Sequence, residues 1–150
     1  MIKPIPFHGP IRSLTSLGMR TALIVDDVPA MRAIVDRAVR QLDVATIQAR
    51  NGKEAFKQLQ HQRVDVVITD VEMPLWSGFD LLQAIRHSQD RRIRVLPVIV
   101  VSSLDERTTA ARTKQFAGTH FLSKPISISR LRVTLKRIAT RCWTHQRSVR

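Results

Sequence analysis

Five short apolar runs punctuate the chain, and between them apolar residues recur every three or four positions. Residues 22–25, 44–48, 64–69, 95–101 and 119–123 are rich in β-branched side chains and have the length of buried strands. After the first run, Met31, Ile34, Val35, Ala38 and Leu42 keep a helical spacing, and Pro29 suits the first turn of that helix. Asn51-Gly52 marks a turn, followed by a helix with Ala55, Phe56 and Leu59 inward. Leu81, Leu82 and Ile85 are the apolar side of a helix over 79–85, and residues 87–94 read as a polar, basic loop. Pro97 has no amide hydrogen, which places it near the start of the fourth strand. Ser103-Leu-Asp-Glu106 has capping-box spacing and opens a helix that closes at Gly118. Ile128, Leu131, Leu135, Ile138 and Cys142 form the buried stripe of a last helix starting near Ser127. Five strands alternating with five helices through short connections predict a parallel α/β sheet with right-handed crossovers.

The flanks lack such a period. Residues 1–18 carry Pro4, Pro6, Gly9, Pro10 and Gly18 and are expected to be an irregular arm with no face to bury. Residues 19–143 are expected to form one domain, with Met19 a second candidate start, and 144–150 a flexible basic tail.

Composition narrows the class. The chain has 150 residues, 43% of them hydrophobic, enough for a substantial core. No apolar run is long enough to span a bilayer, and no secretory leader is apparent. Cys142 is the single cysteine, so no internal disulfide forms, and a cytoplasmic setting is expected. The net charge is +13, and every acidic residue lies at or before Glu106. Such a surface attracts nucleic acid, an anionic membrane or an acidic protein; a solvated helix face is the plain alternative.

The candidate chemistry sits at the strand ends: Asp26-Asp27, Asp70, Ser102-Ser103 and Lys124. In a parallel sheet these ends share one edge, where ligands of open α/β folds bind. Converging carboxylates repel one another, and a hard cation with oxygen ligands, such as Mg²⁺, relieves this. Carboxylates, metal, ammonium and hydroxyl together are the parts of a phosphoryl-transfer site with an Asp nucleophile. The five histidines show no zinc-ligand spacing, and there is no Gly-rich phosphate loop.

These residues resemble the receiver domain of two-component response regulators. The resemblance rests on L-I-V-D-D at 23–27, N-G-K-E-A at 51–55, I-T-D-V-E-M-P at 68–74 with Gly78, L-P-V-I-V-V-S-S at 96–103 and F-L-S-K-P at 121–125. It covers about residues 20–142. It implies a flavodoxin-like, doubly wound sheet of order 2-1-3-4-5. It also implies that Asp70 is the phosphoacceptor, served by a histidine kinase or a phosphotransfer protein. Asp27, Asp70 and the main-chain carbonyl of Glu72 would bind Mg²⁺ directly, and Asp26 through water. Ser102 and Lys124 would contact the phosphoryl group, Phe121 would be the aromatic switch residue, and Lys124-Pro125 a cis peptide. The expected function is a single-domain response regulator that signals by phosphorylation-dependent protein binding, with an acidic downstream partner. It is no enzyme beyond its own phosphorylation and dephosphorylation. Trp76 replaces a methionine usual in the family, Ile126 stands where Phe is common, and Glu72 and Leu104 occupy the positions that tune phosphate lifetime.

Three rival readings are weighed beside it. One is a phosphorelay intermediate. Another is a basic nucleic-acid-binding module on the same scaffold; without a helix-turn-helix and with few aromatics, only weak, non-specific binding at low salt is expected. The last is a phosphohydrolase with a turned-over aspartyl phosphate, but the D-x-D-x-T pattern of the haloacid dehalogenase class is missing after the first strand.

Overall fold

The computed structural model describes residues 13–148. Five parallel strands, β1 (Thr21–Val25), β2 (Ala45–Ala49), β3 (Val66–Asp70), β4 (Val98–Ser102) and β5 (Thr119–Ser123), lie in the order 2-1-3-4-5. Between and after them run α1 (Pro29–Arg40), α2 (Gly52–His61), α3 (Gly78–Arg86), α4 (Arg91–Arg94), α5 (Glu106–Lys114) and α6 (Ile128–Ser148). The central strands β3 and β4 are buried throughout, because helices cover both faces, whereas the edge strand β5 is half-buried along its length. The core is therefore double. One half joins α1 and α6 to the sheet through Val35, Val39, Leu131 and Leu135, and the other joins α2 and α3 through Leu59, Leu81, Leu82 and Ile85.

Several expectations are corrected. There are six helices among the described residues, not five: the stretch read as a basic loop contains α4. Asp90 accepts the Arg92 amide hydrogen at 2.9 Å to cap it, and Ile93 alone is buried, so no period marked it. The helix after β4 starts at Glu106, not at Ser103. Its cap is Asp105, which accepts from the Arg107 amide at 3.3 Å and the Thr108 hydroxyl at 2.6 Å. It ends at Lys114, short of Gly118, whose φ of +69° makes the turn into β5. In α1, Val39 is buried and Ile34 is half-exposed. Cys142 is exposed, because the buried stripe of α6 ends at Ala139. The helix itself continues to Ser148, since no Gly or Pro stops it, so the tail expected from Thr144 is helical as far as that residue.

The arm is also different from expectation where it is described. Residues 14–18 form turns, and Leu14 (3% exposed) and Leu17 (9%) join the core half built by α1 and α6. The rest of the arm, residues 1–12, and the last two residues of the tail lie outside the described residues.

The edge opposite the candidate site is cross-braced. Arg86, at the end of α3, donates to the carbonyls of Arg94 (3.1 Å), Leu96 (2.7 Å), Ala117 (3.0 Å) and Gly118 (3.1 Å). Asp65 Oδ2 accepts from the amides of Arg20 and Thr21 at 2.8 and 3.0 Å, which sets the entry to β1. By contrast, α5 (E-R-T-T-A-A-R-T-K) has no large apolar residue and buries only Thr109 and Thr113.

Candidate phosphoacceptor site

All the strand ends singled out in the sequence meet at the carboxyl edge of the sheet. Asp26 follows β1, Asp70 closes β3, Ser102 closes β4, and Lys124 follows β5. Parallel pairing sets their levels: Asp70 lies beside Val101, and Ser102 beside Ser123. The Lys124 amide donates to the Ser102 carbonyl at 2.9 Å, so pairing extends one residue past β5. The Lys124–Pro125 peptide is cis.

Asp26 and Asp70 are nearly buried, at 7% and 6% exposed, and Asp27 is exposed. One carboxylate oxygen from each of the three lies within 4.8 Å of the others. The Lys124 ammonium is 3.1 Å from Asp70 Oδ1 and 3.9 Å from Asp26 Oδ2. Asp70 Oδ1 also accepts the Val71 amide hydrogen at 2.9 Å. Asp26 Oδ1 accepts from the Val28 amide at 2.9 Å, at the start of α1. Burial pushes the Asp26 carboxyl above the usual carboxylate range; the charges of Asp70 and Asp27 push the same way, and the Val28 amide and Lys124 oppose them. Three carboxylates against one ammonium leave an excess of negative charge in a partly dry site. That donor set fits a hard divalent cation, and oxygen-only ligands at an open edge favour Mg²⁺ over zinc.

The other expected residues fall around this cluster. Ser102 is fully buried, and its hydroxyl accepts the Leu104 amide hydrogen at 3.0 Å, which shapes the loop before α5. Phe121 is half-buried against the α2–α3 side of the core, two strand positions before Ser123. Glu72 is exposed on the loop after β3. That loop is tied down at both ends. The Gly78 amide donates to the Val71 carbonyl at 2.9 Å, and a Cβ at Gly78 would stand 2.2 Å from the Asp70 carbonyl oxygen, so only glycine fits there.

One participant escaped the sequence reading. The Arg32 guanidinium donates to the Asp26 main-chain carbonyl at 2.6 Å and to Gln48 Oε1 at 3.3 Å. It clamps the end of β1 from the first turns of α1. A long cation in the first turns of that helix reaches back to the strand end, but its partner is a main-chain carbonyl and leaves no mark in the sequence.

Residues 22–136 match the response regulator receiver domain family. The chain is 32% identical over 120 residues to the chemotaxis protein CheY of Pseudomonas aeruginosa, a span of 79% of this chain and 95% of that protein. It is 34% identical over 118 residues to the response regulator protein PilR of the same organism, 77% of this chain but 25% of PilR, so it spans about a quarter of that relative. Among solved structures, the chemotaxis response regulator CheY4 of Vibrio cholerae has a TM-score of 0.72 at 28% identity, over 80% of this chain and 98% of that one. The match of residues, the relative covered almost end to end and the shared sheet order agree: the chain belongs to the receiver domains of two-component response regulators.

Proposed function

We propose that Asp70 accepts a phosphoryl group from a phosphohistidine on a histidine kinase or phosphotransfer protein, and that the phosphorylated chain signals by binding another protein. The observation that carries this reading is the nearly buried Asp70 carboxylate, 3.1 Å from the Lys124 ammonium and grouped with Asp26 and Asp27. The hydrogen bond from Val71 and the ion pair with Lys124 both fall on Oδ1, which leaves Oδ2 as the attacking oxygen. Oδ2 forms the bond to phosphorus, the phosphorus–nitrogen bond breaks, and the imidazole leaves with the electron pair. Asp27, Asp70 and the Glu72 carbonyl would hold Mg²⁺ directly and Asp26 through water. When bound, the ion neutralises charge on the phosphoryl oxygens. Lys124 follows the new charge and pairs with a phosphoryl oxygen. The Ser102 hydroxyl gives up its contact with Leu104 and donates to the same group, and Phe121 turns inward to fill the space vacated. The surface of α5, β5 and α6 then changes shape.

The chain acts on no other substrate in this reading, and its setting is the cytoplasm; no helix among the described residues is long and apolar enough to cross a membrane. Incubation with acetyl phosphate and Mg²⁺, followed by intact mass, is expected to show one added phosphoryl group. Asp70→Asn should abolish it. An undiminished adduct in that variant would move the acceptor elsewhere.

A further inference from the structure

The loop between β3 and α3 carries a feature that phosphotransfer does not use. Leu75 is 78% exposed and its backbone has φ +70°, a left-handed conformation that favours glycine or asparagine. A large apolar side chain is thus held out in solvent on a backbone that resists it. Its neighbour Trp76 is seated, not loose. A Cβ on Gly52 would stand 2.8 Å from the Trp76 Cβ, so the glycine at the start of α2 makes room for it. The Trp76 ring meets the Phe56 ring of α2 at 6.1 Å, tilted by 46°. Leu75 and Trp76 therefore form a ledge between two grooves of about 590 and 610 Å³.

The groove of about 590 Å³ has a basic rim. Lys53 and Lys57 project from α2 beside Phe56, with His61 one turn further on. Among the described residues neither lysine makes an ion pair, and the one acidic group of that rim, Glu54, is held by Arg50 at 3.2 Å. We propose that this ledge is a docking surface for a partner's amphipathic helix, its apolar side chains set against Leu75 and Trp76 and its acidic residues against Lys53 and Lys57. Charge selects this occupant over two others. A second copy of the chain carries a net +13, and residues 1–12 hold Lys3 and Arg12 with no acidic group. The ledge contains none of Ser102, Phe121 or Lys124, so docking here does not depend on the state of Asp70 and goes beyond the phosphotransfer reading.

The test uses the full chain and a fluorescein-labelled amphipathic peptide of about 15 residues, long enough for a helix, with Leu and Phe on one face and Glu on the other. A version with Lys in place of Glu is the comparator. Polarisation should show binding of the Glu peptide and at least about tenfold weaker binding of the Lys peptide. Leu75→Gly should weaken the Glu peptide about tenfold while leaving thermal stability unchanged or raised, because it relieves the left-handed leucine. Lys53→Glu with Lys57→Glu should do the same to binding through charge. Asp70→Asn should bind like the native chain, so this result stands apart from any failure of phosphorylation. Equal binding of both peptides, or an unaffected Leu75→Gly, would overturn the proposal. So would self-association through Leu75, seen by sedimentation, that the peptide does not compete away.

Discussion

At the scale of single residues, Asp26 is where charge and burial conflict most. Its folded-state pKa is raised, so its contribution to stability is present at acid pH and is lost as pH rises through that raised value. Burial, with the charges of Asp70 and Asp27, disfavours the ionised form of this carboxyl in the metal-free protein. Asp26→Asn is therefore expected to raise the melting temperature by a few degrees at neutral pH in the presence of a chelator, and to have no such effect at acid pH, where the native carboxyl is protonated. Mg²⁺ should stabilise the native chain at neutral pH and the variant by less. Differential scanning calorimetry with and without chelator at the two pH values checks both statements. The residues of this site were legible because strand ends are fixed by short apolar runs, and an Asp, Ser or Lys just past such a run has one place to be. Arg32 and Arg86 were not, because each works by donating to main-chain carbonyls. A carbonyl is present at every position, so nothing in the sequence marks it as a partner.

At the scale of elements, the segment before β1 behaves unlike its composition. Leu14 and Leu17 sit in the core half shared with α1 and α6, next to Met19. Burying a leucine contributes about 1.5–3 kcal/mol. A chain beginning at Met19 is thus expected to lose roughly 3 kcal/mol, a drop of about 10 °C in melting temperature for a domain of this size. Thermal unfolding followed by circular dichroism measures it, and an unchanged midpoint would mean the two leucines add nothing in solution. Pro and Gly announce irregular backbone, and the described residues 14–18 are turns. They say nothing about whether single side chains of an irregular segment reach the core, and two leucines three residues apart are too few to establish a period. The same shortage hid α4, with one buried residue. The strands and the long helices were legible because each repeats its signal several times, and the helix after β4 was misplaced at its start because Ser103 and Asp105 are both good caps.

At the scale of the whole molecule, charge is distributed along the chain in one direction. After Glu106 no acidic residue occurs, and Arg130, Lys136, Arg137 and Arg141 of α6 are exposed. Retention on heparin is expected at low salt and should fall steeply between about 50 and 200 mM, as counterion release requires. Retention that survives the higher salt would point to a built polyanion site in place of a diffuse field. The distribution of packing is equally one-sided, and it has a mechanical consequence. The buried residues under α5 are threonines, with Arg112 stacked 4.0 Å over the Phe79 ring of α3, and Thr113 spends its hydroxyl on the Thr109 carbonyl at 2.8 Å within the helix itself. Lifting this helix off β4 and β5 exposes little apolar surface to water, so the restoring force on it is weak. α3, with Leu81, Leu82 and Ile85 in the core and Arg86 fastened to the far edge, is stiff. Local opening takes place at the weakest seam. The compliance of this domain is therefore concentrated in α5, the helix whose preceding loop is pinned to Ser102 by a single hydrogen bond from Leu104.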